Sequence, residues 1–123
     1  MNIKTLLVNL ELADPNLPVY FDFCSCVPVN INSWRGVYAE PAIGWQPTGY
    51  SGDGEEITVE QFIEVLKHAA YSGAYYLGWK GGEYIYNENS ELHVDNPGDC
   101  THTDISHIEI NDYRVIICTK SMY

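Results

Sequence analysis

The stretch ITVEQFIEVLKHAAYSGAYYLGWKGGEYIY, residues 57–86, decides the fold class, because a helical pattern gives way within it to a strand-like one. In the first half Val59, Phe62, Ile63, Leu66, Ala69 and Ala70 recur at helical spacing and make one apolar stripe. Thr58 and Gln61 form a T-x-x-Q capping box, and Ile57 and Phe62 take the two places of a hydrophobic staple. Glu60 sits near the positive end of the helix dipole and Lys67 and His68 near the negative end, with Gly73 as the stop. The second half, Tyr75 to Tyr86, packs four tyrosines, Trp79, Lys80 and three glycines into twelve positions. Glycines let a backbone turn sharply or let a partner come close. Aromatic rings with one cation suit a planar or anionic ligand, and the same residues equally suit a hairpin capping a core.

Working outward, Ile3, Leu6, Leu7 and Leu10 mark one face of a short helix that Asn2 can cap and Asp14-Pro15 ends. Pro18 to Cys26 reads as a strand with Tyr20, Asp22, Cys24 and Cys26 on one side and Val19, Phe21 and Phe23 on the other. From Val27 the chain reads as loop, then as an extended piece from Arg35 to about Gly44 that Pro41 demotes to an edge or bulged strand. Residues 47–56 are loop by composition. Downstream come a turn at Asn87–Ser90, a strand at Glu91–Val94 and a loop at Asp95–Asp99. A closing hairpin pairs Ile105–Ile110 with Tyr113–Thr119 through a two-residue turn, Asn111-Asp112. Ile105 is out of step with Ile108 and Ile110, which places a bulge or a late strand start there. The expected architecture is a single α+β domain over residues 1–123, two helices packed on an antiparallel sheet of four to six strands.

At 123 residues and 46% hydrophobic content the chain can bury a real core. Its formal net charge of −11 repels phosphate backbones, which argues against direct nucleic-acid binding. No apolar run is long enough to span a membrane. The opening MNIKTLLVNLELADPN lacks the basic start and sustained apolar stretch of a signal peptide, so Cys24, Cys26, Cys100 and Cys118 are expected reduced, in a cytoplasm.

Four constellations carry possible chemistry. Cys24-x-Cys26 with Cys100-x-His102 offers a Cys3His set, but zinc knuckles favour wider cysteine spacing on turns, and no metal or other cofactor is assigned. The pairs His93/Asp95, His102/Asp104 and His107/Glu109 fall at i, i+2, one face of a strand, a spacing open to acid–base work yet common as surface decoration. Gly78-Trp79-Lys80-Gly81-Gly82 is not a Walker loop, though it could form an amide-lined turn with Lys80 as its cation. Finally, scarce cations stand beside aromatics at Trp34-Arg35, Trp79-Lys80 and Tyr113-Arg114. In so acidic a chain that placement points to a specific anionic or planar ligand, against the plainer reading that each cation pairs with one of 17 acids.

Taken with SWRGVYAEPAIGW, the TVEQFIEVLKHA helix, GWKGGEYIY, VDNPGD and DYRVIICT, the chain resembles a family of small tailed-bacteriophage accessory proteins. That family's pattern runs F-D-F, then SWRG-x-Y, a helix, G-[YW]-K-G-G-[ED]-[FY], an N-x-G-[DE] loop and a terminal D-Y-R-V strand. The resemblance covers about residues 19–119, and the chain departs from it in the longer 47–56 loop and in Asn96-Pro97-Gly98-Asp99. It implies the cytoplasm of an infected bacterial host and a role against host systems.

The leading expectation is a non-catalytic binder, possibly a homo-oligomer, that sequesters a small anionic planar ligand such as a nucleotide-derived immune signal. Trp34, Tyr75 and Trp79 would stack on it, Arg35, Lys80 and Arg114 would neutralise phosphate, and Asp22 or Asp99 would accept hydrogen bonds. One rival is an acidic inhibitor that mimics a nucleic-acid backbone toward a basic host protein through Glu55, Glu56, Glu60, Glu64, Glu88 and Glu91. Another is a small hydrolase using His93, His102 or His107.

Overall fold

Asn2 opens the first helix, α1 (Ile3–Leu10), by accepting the Thr5 amide on its side chain, and Ile3, Leu6, Leu7 and Leu10 are all buried. The helix stops at Glu11, short of the Asp14-Pro15 breaker. The computed structural model describes residues 1–49, 54–78, 80–95 and 103–120. Helix α2 (Val59–Tyr71) carries both halves of the Thr58/Gln61 capping box, and Gly73 follows its C-cap with φ +71°. Its stripe of Val59, Phe62, Leu66, Ala69 and Ala70 is buried.

Among the described residues there are eight strands: β1 (Val19–Phe21), β2 (Cys26–Ser33), β3 (Pro41–Pro47), β4 (Tyr75–Leu77), β5 (Glu83–Ile85), β6 (His93–Val94), β7 (Asp104–Ile110) and β8 (Val115–Lys120). Six of them form one sheet in the order β1-β8-β7-β6-β3-β2, and β4 and β5 pair separately as the aromatic–glycine hairpin. The fold is α+β with two helices among the described residues, as expected. The large sheet is mixed, however, because β1 runs parallel to β8 and β3 parallel to β6. Six flat strands would span about 24 Å. Phe21 and Cys26, on the two opposite edges, are joined by a step of at most about 18 Å. The sheet must therefore curl, and β1 and β2 do touch.

Three local readings are corrected. The strand expected from Pro18 to Cys26 breaks after Phe21, because Asp22 turns to accept the Thr119 amide (3.0 Å) and hydroxyl (2.7 Å). The segment from Val27, read as loop, is a strand with a bulge between Pro28 and Asn30, and Pro41 opens an interior strand, a position proline tolerates. The closing turn spans residues 111–114 in place of two, since Asn111 Oδ1 accepts the amides of both Tyr113 (2.8 Å) and Arg114 (2.9 Å). The bulge beside Ile105 is present.

The pleat separates the two faces of the sheet. On the inner face Ile31 pairs with Ile43, Ile43 with Val94 and Phe21 with Ile117, and these pack with α1 and α2 in one core. On the outer face a row of paired residues crosses five strands: Asn32, Ala42, His93, Asp104 and Lys120. Every residue type there except Ala42 is polar.

Candidate functional site

Asn30 and Asn32 alternate outward around the buried Ile31, and both amides lie over Gly44 of the neighbouring strand. A Cβ at position 44 would fall 2.7 Å from Asn32 Nδ2, so only glycine leaves room for the pair. Asn32 Nδ2 donates to Asp95 Oδ2 (3.3 Å), and Trp45 Nε1 donates to the Asp95 carbonyl (2.5 Å). The other carboxylate oxygen, Asp95 Oδ1, is buried with no hydrogen-bond partner among the described residues. A buried acceptor in that state costs about 1–3 kcal/mol, so a donor arriving there is favoured.

Asn32, Ser33, Leu77, Gly78 and Asp95 line a cavity of about 370 Å³. The end of β2, just before Trp34-Arg35-Gly36, thus meets the end of β4, just before the Lys80-Gly81-Gly82 turn. Gly81 and Gly82 have φ of +86° and +78°, and the Gly78 amide donates to the Gly82 carbonyl, which closes that turn tightly. Arg35 and Lys80 are exposed, each two residues from a lining residue, a reach of at most about 7 Å.

Trp34 does not present its ring to this cavity. It is 7% exposed, stacks on His93 with centroids 3.6 Å apart and planes 9° apart, and has Gly36 over its six-membered ring. His93 is 6% exposed, with Nε2 3.0 Å from Glu40 Oε2 and a buried, unpartnered Nδ1. Trp34 therefore covers a buried histidine tied to a half-buried glutamate, which is a different task from stacking on a ligand.

Asp22 and Arg114 meet elsewhere, in a second cavity of about 430 Å³ lined also by Phe21, Cys24, Ser25, Glu109, Ile116 and Cys118. The two cavities share no lining residue. The Arg114 guanidinium lies 5.7 Å from the centre of the Tyr20 ring. Burial pushes the Tyr20 phenol above its ordinary range, and the Glu56 carboxylate adds to that. Burial likewise raises the Cys118 thiol, helped by the charges of Glu109 and Asp22. The chain bends across Ser25, which brings the Cys24 and Cys26 sulfurs together with their Cα atoms 5.0 Å apart.

Of the expected ligand residues, then, Arg35 and Lys80 flank one cavity, Asp22 and Arg114 line another, and Trp34 is packed away. Tyr75 is exposed at the start of β4 and lines neither cavity. Trp79 and Asp99 lie outside the described residues, as do Cys100 and His102. Asn32, Ser33 and Asp95 were not anticipated as a group, although the i, i+2 spacing of His93 and Asp95 pointed to one strand face. No protein-family model, curated protein or solved structure matches the chain.

Proposed function

We propose that the protein is a non-catalytic binder that sequesters a small planar, nucleotide-like ligand in the cavity between Asn32-Ser33 and Leu77-Gly78. The observation that carries this reading is the convergence there of two segments far apart in the chain, beside the Asp95 carboxylate. A volume of about 370 Å³ is within the range of small-molecule sites. Asp95 Oδ1 would accept from an N–H edge of the ring, Asn32 would fix its orientation, and Arg35 and Lys80 at the rim would neutralise an anionic group. Trp34 contributes from behind, holding the His93 layer in place. Read with the resemblance to phage accessory proteins, the ligand class is a nucleotide-derived host immune signal, captured in the cytoplasm of the infected cell.

The test is native mass spectrometry after incubation with linear and cyclic nucleotides and cyclic ADP-ribose isomers, followed by chemical analysis of the released ligand. An intact ligand held by the native chain and lost in Asp95→Asn is the expected result. No ligand retained across that panel overturns the reading. A cleaved ligand replaces it with hydrolysis, and a salt-sensitive complex with a basic host protein replaces it with acidic mimicry.

A further inference from the structure

His107 and Glu109 lie on β7 and Cys118 on β8, and none of them belongs to the cavity assigned above. The register pairs His107 directly with Cys118 just past the Ile105 bulge, so their side chains leave the sheet on the same face. Glu109, two residues along the strand, shares that face. The imidazole, carboxylate and thiol donor atoms all lie within 4.8 Å of one another. Ser106 Oγ is 2.8 Å from His107 Nδ1, which occupies that nitrogen, while Nε2 faces Glu109 Oε1 at 3.5 Å. The bulge matters here: without the extra residue, the alternation of β7 would set a different side chain opposite Cys118.

We propose that His107, Glu109 and Cys118 form a mononuclear zinc site with one coordination position open toward the cavity of Asp22 and Arg114. One sulfur, one imidazole nitrogen and one carboxylate oxygen make a borderline-soft set that suits zinc over calcium or magnesium. In a tetrahedron with bonds of about 2.0–2.3 Å, donors sit roughly 3.3–3.7 Å apart. The present spacing therefore has to close by about an ångström. Both His107 and Glu109 are exposed and can rotate to do so, while Cys118, 8% exposed, is the fixed corner. Glu109 and Cys118 also line the neighbouring cavity, so the fourth position opens onto Arg114, a cation suited to an anionic exchangeable ligand. A Ser106–His107 contact is the kind of outer hydrogen bond that orients a ligating imidazole.

Titrating the full chain with Co(II) reads the site directly. One equivalent should bind, with the near-ultraviolet thiolate-to-cobalt charge-transfer band and the visible bands of a tetrahedral centre, and Zn(II) should displace it. Cys118→Ser should abolish the charge-transfer band. His107→Ala and Glu109→Ala, both at exposed positions, should each weaken binding at least about tenfold, which keeps the test decisive if the cysteine variant fails to fold. Absence of the band in the native chain overturns the proposal. So does a band that persists unchanged in Cys118→Ser or in both exposed variants, since the metal would then sit at another cysteine.

Discussion

Replacing Gly36 with alanine asks whether the Trp34 indole is part of the frame or a surface kept ready for a ligand. A Cβ at position 36 would fall 2.6 Å from Trp34 Cη2 and Cζ2 and 2.8 Å from Cε2. Carbon–carbon contact is optimal at about 3.5–4.0 Å, so the ring must retreat by about 1 Å. It has nowhere to go, because its other face rests on His93 at 3.6 Å and His93 is held by Glu40. Overpacking of this kind costs about 1–3 kcal/mol. Gly36 does not have a positive φ, so alanine also gains about 0.4–1 kcal/mol from the unfolded chain. The net expectation is a loss of about 1–2 kcal/mol.

For 123 residues the unfolding entropy is roughly 260 cal/mol/K, and the melting temperature should fall by about 4–8 °C. Thermal unfolding followed by circular dichroism measures this. The double variant Trp34→Phe with Gly36→Ala provides the internal check: a smaller ring makes room for the methyl, so the two changes should couple favourably by about 1 kcal/mol. If Gly36→Ala is as stable as the native chain, or if the two changes add without coupling, the indole is free to swing and the packing argument fails.

Thr58→Ala removes the side-chain oxygen that accepts the Gln61 amide, and should cost about 1 kcal/mol, seen as a drop in melting temperature of about 4 °C. Asp22→Ala unties the end of β1 from Thr119; urea denaturation should show a loss of about 1 kcal/mol, and faster amide exchange at Thr119 should accompany it. Burial raises the phenols of Tyr76 and Tyr86 above their ordinary value of 10.0. Below that value both states are protonated and stability is unaffected, whereas above it the unfolded chain loses protons first, so stability falls as pH rises through the folded values. Urea denaturation above and below pH 10 should show that decline, and Tyr86→Phe should lessen it, leaving the part due to Tyr76.

What the sequence discloses here is what neighbours along the chain can enforce. The α2 caps, the α1 stripe and the Ile105 bulge each depend on residues a few positions apart, and each is found where expected. Strand β2 was hidden because its outward asparagines look like loop residues until Gly44 and Asp95, both distant in sequence, give them a surface and a partner. The parallel pairings of β1 with β8 and of β3 with β6 are likewise set by packing that no local pattern records. The expected ligand residues divide between two surfaces. Trp34 packs on His93 just past the end of β2, while Arg35, at the bend that follows, stays exposed. Arg114 reaches Tyr20 on the adjacent strand, while its sequence neighbour Tyr113 is 82% exposed.

That geometry changes what scarce cations mean in this molecule. Adjacency in sequence does not make a shared surface: Trp34 is buried beside an exposed Arg35, whereas Tyr113 and Arg114 are both exposed. Cross-strand neighbours are the pairs that share a surface, and the outer row from Asn32 through His93 to Lys120 shows what those pairs supply. Toward β2 the row offers buried acceptors and an amide; toward β8 it passes beside imidazole, carboxylate and thiol. Buried polar groups without partners weaken a fold unless something else meets them. Among the described residues, two of the three such atoms belong to His93 and Asp95 on this outer face, and that is the reason to look for ligands there.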